Sequence, residues 1–78
     1  MPTVLRVEGY RFFFFSNERQ EPPHIHVAKA GNYAKFWLDP VSFAWNRGFR
    51  RNEVTRLHEI IRENVDSLLR SWNEYFSN

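Results

Sequence analysis

The chain has 78 residues, is 42% hydrophobic and 18% aromatic, carries a formal net charge of +2 and contains no cysteine. This length fits one folded domain spanning residues 1–78, and the missing cysteines exclude disulfides and thiolate metal sites. No apolar run has the length of a secretion signal or a membrane-spanning helix. We therefore expect a cytoplasmic protein that does not enter membranes.

Short β-branched and aromatic runs alternate with turn sequences over the first half of the chain, which predicts strands. They are expected at residues 3–7, 10–16, 24–29 and 33–38. The second run contains the consecutive phenylalanines Phe12 to Phe15. Because side chains alternate between the faces of a sheet, these rings divide between two faces, and both faces need cover. Residues 41–46 fit a short helix and an irregular segment equally well.

From Arg51 the apolar residues recur at steps of three and four, which predicts an amphipathic helix. They are Val54, Leu57, Ile61, Val65, Leu68, Trp72 and Tyr75 or Phe76. A helix of about 25 residues would be roughly 38 Å long, more than a small sheet can cover. We expect either a break near Asn64 or final turns that pack against a partner. The predicted fold is α+β: three to four mostly antiparallel strands followed by a C-terminal amphipathic helix packed on one face.

His24 and His26 lie two residues apart on a predicted strand, so both imidazoles point to one face. Such a pair holds a metal in many proteins, and the candidate third ligands are His58, Glu21 and Glu18. None of these residues lies at a spacing typical of a metal site. The sequence therefore predicts no metal and no cofactor.

The same histidines suit acid–base chemistry, because histidine changes charge near neutral pH. A metal-independent ribonuclease site would use His24 or His26 as the base, with Arg11 or Lys35 holding the phosphate. The alternative is that both histidines bond to the backbone or line an interface. The sequence favours a protein that is not an enzyme.

Two tryptophans, Trp37 and Trp45, together with Tyr10 are candidates for an exposed aromatic patch of the kind enriched at protein interfaces. The basic residues interleaved with these rings are Arg11, Lys35 and Arg47. That mixture would also suit single-stranded nucleic acid. The third interpretation is a second small core beneath residues 41–49.

A basic group, Arg47, Arg50 and Arg51, precedes the predicted helix. It fits contact with nucleic acid or with an acidic partner, and it also fits plain solvation.

Five segments of the chain resemble a small bacterial family known as domain of unknown function 4160. They are Gly9 to Glu18, Glu21-Pro-Pro-His-Ile-His-Val27, Ala34 to Val41, Asn46-Arg-Gly-Phe49 and Trp72 to Phe76. The resemblance implies no established activity. It does imply a gene that forms half of a two-gene, toxin–antitoxin-like operon. The family tends to have a serine in place of Arg50, so we expect the helix to begin later, with Asn52 as its N-cap.

The preferred hypothesis is a small protein–protein interaction module, one half of a toxin–antitoxin-like pair. Its partner would be the product of an adjacent small gene or a second copy of the chain. The alternative is an RNA-binding protein or ribonuclease-type toxin that uses the strand site of His24 and His26.

Overall fold

Five strands and two helices make up the computed structural model, which describes residues 3–18 and 20–77. The elements are β1 (Thr3–Val7), β2 (Tyr10–Phe13), β3 (His24–Lys29), β4 (Asn32–Leu38), β5 (Val41–Arg47), α1 (Arg51–Glu63) and α2 (Val65–Phe76). The strands form one sheet in the order β1-β2-β3-β4-β5, with every neighbouring pair antiparallel. Neither described helix is long and apolar enough to cross a membrane.

Two tight turns fix the register of the sheet. Glu8 and Gly9 have φ angles of 54° and 84°, and Ala30 and Gly31 have φ angles of 51° and 82°. Two successive residues with positive φ are typical of the two-residue hairpin turn whose twist matches that of the strands. The β1–β2 and β3–β4 hairpins therefore follow from short sequences that contain a glycine at the second turn position.

The α+β class is confirmed, but the number of elements differs from the prediction. Residues 41–47 form the edge strand β5, which pairs with β4 from Tyr33↔Arg47 to Leu38↔Val41. The second strand ends at Phe13 instead of continuing to residue 16. The sheet thus has five strands, more than the three to four expected.

The helical segment is divided at Asn64, near the predicted break. Its backbone N–H donates to the carbonyl oxygens of Ile60 and Ile61, and its side-chain Nδ2 donates to the Ile60 carbonyl at 2.8 Å. These bonds satisfy carbonyl groups at the end of α1, and α2 begins at the next residue, Val65. The predicted single helix is therefore two helices.

The expectation that the helix begins later, with Asn52 as its N-cap, is wrong. The helix begins at Arg51, with Arg50 as N-cap. The Arg50 backbone N–H donates to Glu53 Oε1 at 3.0 Å, so the glutamate half of a capping box persists without the serine.

The main core lies between one face of the sheet and the two helices. It is formed by Tyr10, Phe12, Phe14, Ile25, Val27, Ala34, Phe36, Leu38, Phe49, Leu57, Ile60, Ile61, Leu68 and Trp72. The predicted burial of Leu57, Ile61, Leu68 and Trp72 is confirmed. Each fully buried ring or branched side chain contributes roughly 1.5–3 kcal/mol of transfer free energy, which a domain this small requires.

The C-terminal aromatics anchor α2 on the sheet. The Trp72 and Phe76 rings lie 4.1 Å apart between centroids, as their spacing of four residues predicts. Trp72 also meets the edge of Phe14 at 5.3 Å. The end of α2 is therefore part of the core packing.

Candidate functional site

The strand residues that alternate with the core residues form the opposite face of the sheet, which we call the second face. Opposed residues of antiparallel strands share a face, so the register arranges this face in rows. The rows are Arg6–Arg11–Ala28–Tyr33–Arg47, then Phe13–His26–Lys35–Trp45, then His24–Trp37–Ser42. Basic and aromatic side chains from all five strands are thereby brought together.

The exposed rings of the second face are Tyr33 and Trp45, with 41% and 43% of their surface accessible. They lie on neighbouring strands in adjacent rows, which makes them diagonal neighbours roughly 7–8 Å apart. Two large rings accessible at this separation offer adjacent flat surfaces for a ligand.

The cations of the second face are poorly neutralised. No described strand residue is acidic. Lys35 pairs with Glu21 at 2.7 Å, while no ion pair joins Arg6, Arg11 or Arg47 to a carboxylate of the described residues. The face therefore presents net positive charge to an approaching ligand.

Aromatic rings hold two of these cations close to the sheet. The Arg11 guanidinium lies 4.3 Å from the centroid of Phe13, and its Nη1 donates to Thr3 Oγ1 at 3.3 Å. Lys35 Nζ lies 4.5 Å from the centroid of Trp37. Such cation–π contacts orient the charges without neutralising them.

At one end of the second face Glu18, His24 and His26 form a cluster, which we call the Glu18–His cluster. Glu18 Oε1 lies 2.8 Å from His24 Nε2 and 2.7 Å from His26 Nε2. His24 Nδ1 lies 2.9 Å from the Pro22 carbonyl oxygen. Because a carbonyl oxygen only accepts, His24 Nδ1 must carry a proton and donate it there.

Aromatic packing fixes both imidazoles. His26 stacks on Phe13 at 5.5 Å and meets Phe15 at 4.6 Å. His24 lies 5.7 Å from Trp37 and 4.8 Å from Trp72. These rings leave His24 fully buried and His26 only 4% exposed.

The cluster shifts the protonation of two of its members. Burial raises the pKa of Glu18, but the hydrogen bonds from His24 and His26 outweigh burial, and the pKa lies below its usual value. Burial lowers the pKa of His26, and the hydrogen bond to Glu18 offsets only part of that change. At neutral pH, Glu18 is therefore anionic and His26 is uncharged.

The predicted geometry of the histidine pair is confirmed, since both imidazoles share the second face. The sequence predicts no metal because no candidate third ligand lies at a typical spacing. In the folded chain, however, Glu18 supplies a third donor atom. One ligand atom from each of Glu18, His24 and His26 lies within 4.8 Å of the other two. His58 belongs to α1 and contacts Phe36 of the core, on the other side of the sheet.

A general-base role for His24 or His26 has little support in this geometry. A base must come within hydrogen-bond distance of the proton it removes. Both Nε2 atoms face Glu18, and both rings are buried. His24 fits the alternative in which the histidines bond to the backbone, since it donates to the Pro22 carbonyl.

Five of the predicted binding residues share the second face: Arg11, Lys35, Trp37, Trp45 and Arg47. Arg50 and Arg51 are exposed but lie at the start of α1, outside the strand rows.

The expectation that Tyr10 belongs to an exposed patch is wrong. Tyr10 is 5% exposed and lies in the core, where its hydroxyl donates to Glu53 Oε2 at 3.2 Å. It shares strand parity with Phe12 and Phe14, a signal that places it on the core face. The same parity rule identifies Arg6 and Tyr33, which the sequence analysis missed, as second-face residues.

Comparison with known families identifies the family of this chain. The family model described as Domain of unknown function (DUF4160) matches residues 9–73. Because the match covers most of the chain, the protein belongs to this family. The matched range includes the Glu18–His cluster and the second-face residues from Arg11 to Arg47. No curated protein and no solved structure matches the chain.

Proposed function

We propose that this protein binds single-stranded RNA on the second face of its sheet. The observation that carries the proposal is the placement of the exposed Tyr33 and Trp45 rings among three arginines, Arg6, Arg11 and Arg47, on strands that contain no carboxylate. Bases stack on exposed rings, and phosphates attract the neighbouring cations.

The size of the surface suits a short stretch of RNA. The row from Arg6 to Arg47 crosses all five strands. At the usual spacing between strands this row is roughly 19 Å long, the span of a few nucleotides. The proposal concerns binding and not cleavage, because both histidines are buried and their Nε2 atoms are directed at Glu18.

Fluorescence anisotropy with a labelled oligouridine, measured over a series of salt concentrations, tests the proposal. The double substitution Arg11→Gln and Arg47→Gln should weaken binding and reduce the slope of log K against log salt by about 1.4, since each lost phosphate contact accounts for about 0.7. The matched control is Arg62→Gln with Arg70→Gln, which removes the same charge from exposed helix positions.

The control variant should bind like the parent protein. Equal weakening in both double variants would mean that net charge alone attracts the RNA, and it would overturn the assignment to the second face. Absence of binding by the parent protein would overturn the proposal as a whole.

Binding of a protein partner is the second candidate, supported by the edge strand β5. This strand pairs only with β4 and exposes Phe43 (49%) and Trp45 (43%). Exposed edges with large apolar side chains are common sites of strand addition by another chain. Light scattering over a concentration series, with and without the adjacent gene product, tests this candidate. The toxin–antitoxin-like pairing stays a prediction from the family resemblance.

A further inference from the structure

We infer that Glu18, His24 and His26 bind a divalent transition-metal ion such as Zn²⁺. These side chains meet at the end of the sheet, where Glu18, from the segment between β2 and β3, contacts the two histidines of β3. The inference does not depend on RNA binding, because the exposed rings and unpaired arginines belong to other positions.

The donor set is one that zinc uses. Two imidazole nitrogens with one carboxylate oxygen form a known set of protein ligands, and the remaining position takes water. With metal–ligand distances of about 2.0–2.1 Å, the donor atoms of a tetrahedral site lie roughly 3.3 Å apart. Glu18 Oε1 now lies 2.8 and 2.7 Å from the two Nε2 atoms. Each of these two distances is about half an ångström shorter than in such a site, so Glu18 would withdraw by about that amount when the ion enters.

The contact between His24 and Pro22 prepares the imidazole for a metal. It occupies Nδ1 and leaves Nε2, which lies 2.8 Å from Glu18 Oε1, as the ring nitrogen that can bind a metal once its proton is released. Histidines that bind metals commonly donate their other ring N–H in this way. A metal ion would replace the protons that join Glu18 Oε1 to the two Nε2 atoms.

The surroundings favour a fixed site. Rings of Phe13, Phe15, Trp37 and Trp72 pack around the two imidazoles, so the histidines reach the ion with little loss of side-chain freedom. Glu18 lies in the loop between β2 and β3, and its side chain is 17% exposed. The ion would join this loop to β3 and stabilise the folded chain.

Calorimetric titration of untagged, chelator-treated protein with Zn²⁺ tests the inference. We expect saturation at one ion per chain. Glu18→Gln should weaken binding by at least about tenfold, because even changes around metal ligands cost that much. The matched control is Glu21→Gln, which changes a carboxylate 3.9 Å from His24 Nδ1 that lies outside the cluster. This control should bind like the parent protein.

Failure of the parent protein to bind Zn²⁺, or equal loss in both variants, would overturn the inference. Imidazole ¹⁵N NMR of the parent protein gives a test that needs no variant to fold. Zn²⁺ should shift the Nε2 signals of His24 and His26 and leave those of His58 unchanged. A shift confined to His58, or no shift, would also overturn it.

Discussion

The two faces of the sheet are made by alternate residues of the same strands, yet they differ in charge, exposure and polarity. On the core face, Phe12, Ile25 and Phe36 are fully buried beneath the helices. On the second face, Arg11 and Lys35 lie over aromatic rings and Trp45 remains 43% exposed. The core face thus supplies most of the buried apolar surface, and the second face leaves side chains available for a ligand.

The largest expected effect is loss of stability from the core face. Leu68→Ala should lower the free energy of unfolding by about 2–5 kcal/mol, because a buried leucine leaves a cavity when it is truncated. Leu68 is 1% exposed. Urea denaturation measures the change. Trp45→Ala, a larger truncation on the second face, should cost only about 0.5–1 kcal/mol. Equal losses of unfolding free energy in the two variants would contradict this difference between the faces.

Affinity should show the reverse pattern. Trp45→Ala should weaken RNA binding by about 1–3 kcal/mol, or roughly 5- to 150-fold, because a stacking surface is lost. Phe43→Ala is a matched control, since Phe43 is a ring of β5 with similar exposure (49% against 43%) that contacts Phe36 on the core side. Anisotropy measurements should find its affinity unchanged. Comparable losses at both positions would mean that the RNA contacts the edge of β5, and they would contradict the assignment to the second face.

The smallest expected effect is a pH dependence set by the Glu18–His cluster in metal-free protein. Folding lowers the pKa of His26 and of Glu18, so the unfolded chain binds more protons at acid pH. Stability should therefore fall as pH drops below about 6.5, the usual histidine value, and fall further below about 4.3, the usual glutamate value. Thermal unfolding at a series of pH values measures this.

Glu18→Gln should remove the lower of these two steps, because it removes the carboxylate whose pKa folding lowers. Glu21→Gln should keep it. If Glu18→Gln still lost stability below about pH 4.3, the usual glutamate value, other carboxylates would govern stability in that range.

Much of the fold could be predicted because it depends on local pattern. The turn at Glu8 and Gly9, the apolar stripe of the helices and the break near Asn64 all have local signals. The β5 segment has no such local signal, because Ser42 and Asn46 interrupt its apolar residues. That segment becomes a strand through pairing with β4, and such tertiary context governs strand formation more than propensity does.

The candidate site was predictable to the extent that strand parity determines it. Parity places Lys35 and Trp37 on one face, and applying it consistently would have added Tyr33 and excluded Tyr10. Glu18 is different, because it lies in a loop eight residues before His26. Loop conformation has no periodic signal, so its contact with both histidines emerges only from the folded structure.

Chemical-shift mapping of ¹⁵N-labelled protein with oligouridine tests the division between the two faces most directly. At saturating RNA, the account predicts shifts at Tyr33, Lys35, Trp45 and Arg47, with the exposed positions of α1 and α2 unchanged. Shifts centred on the helices, or no shifts at all, would contradict it.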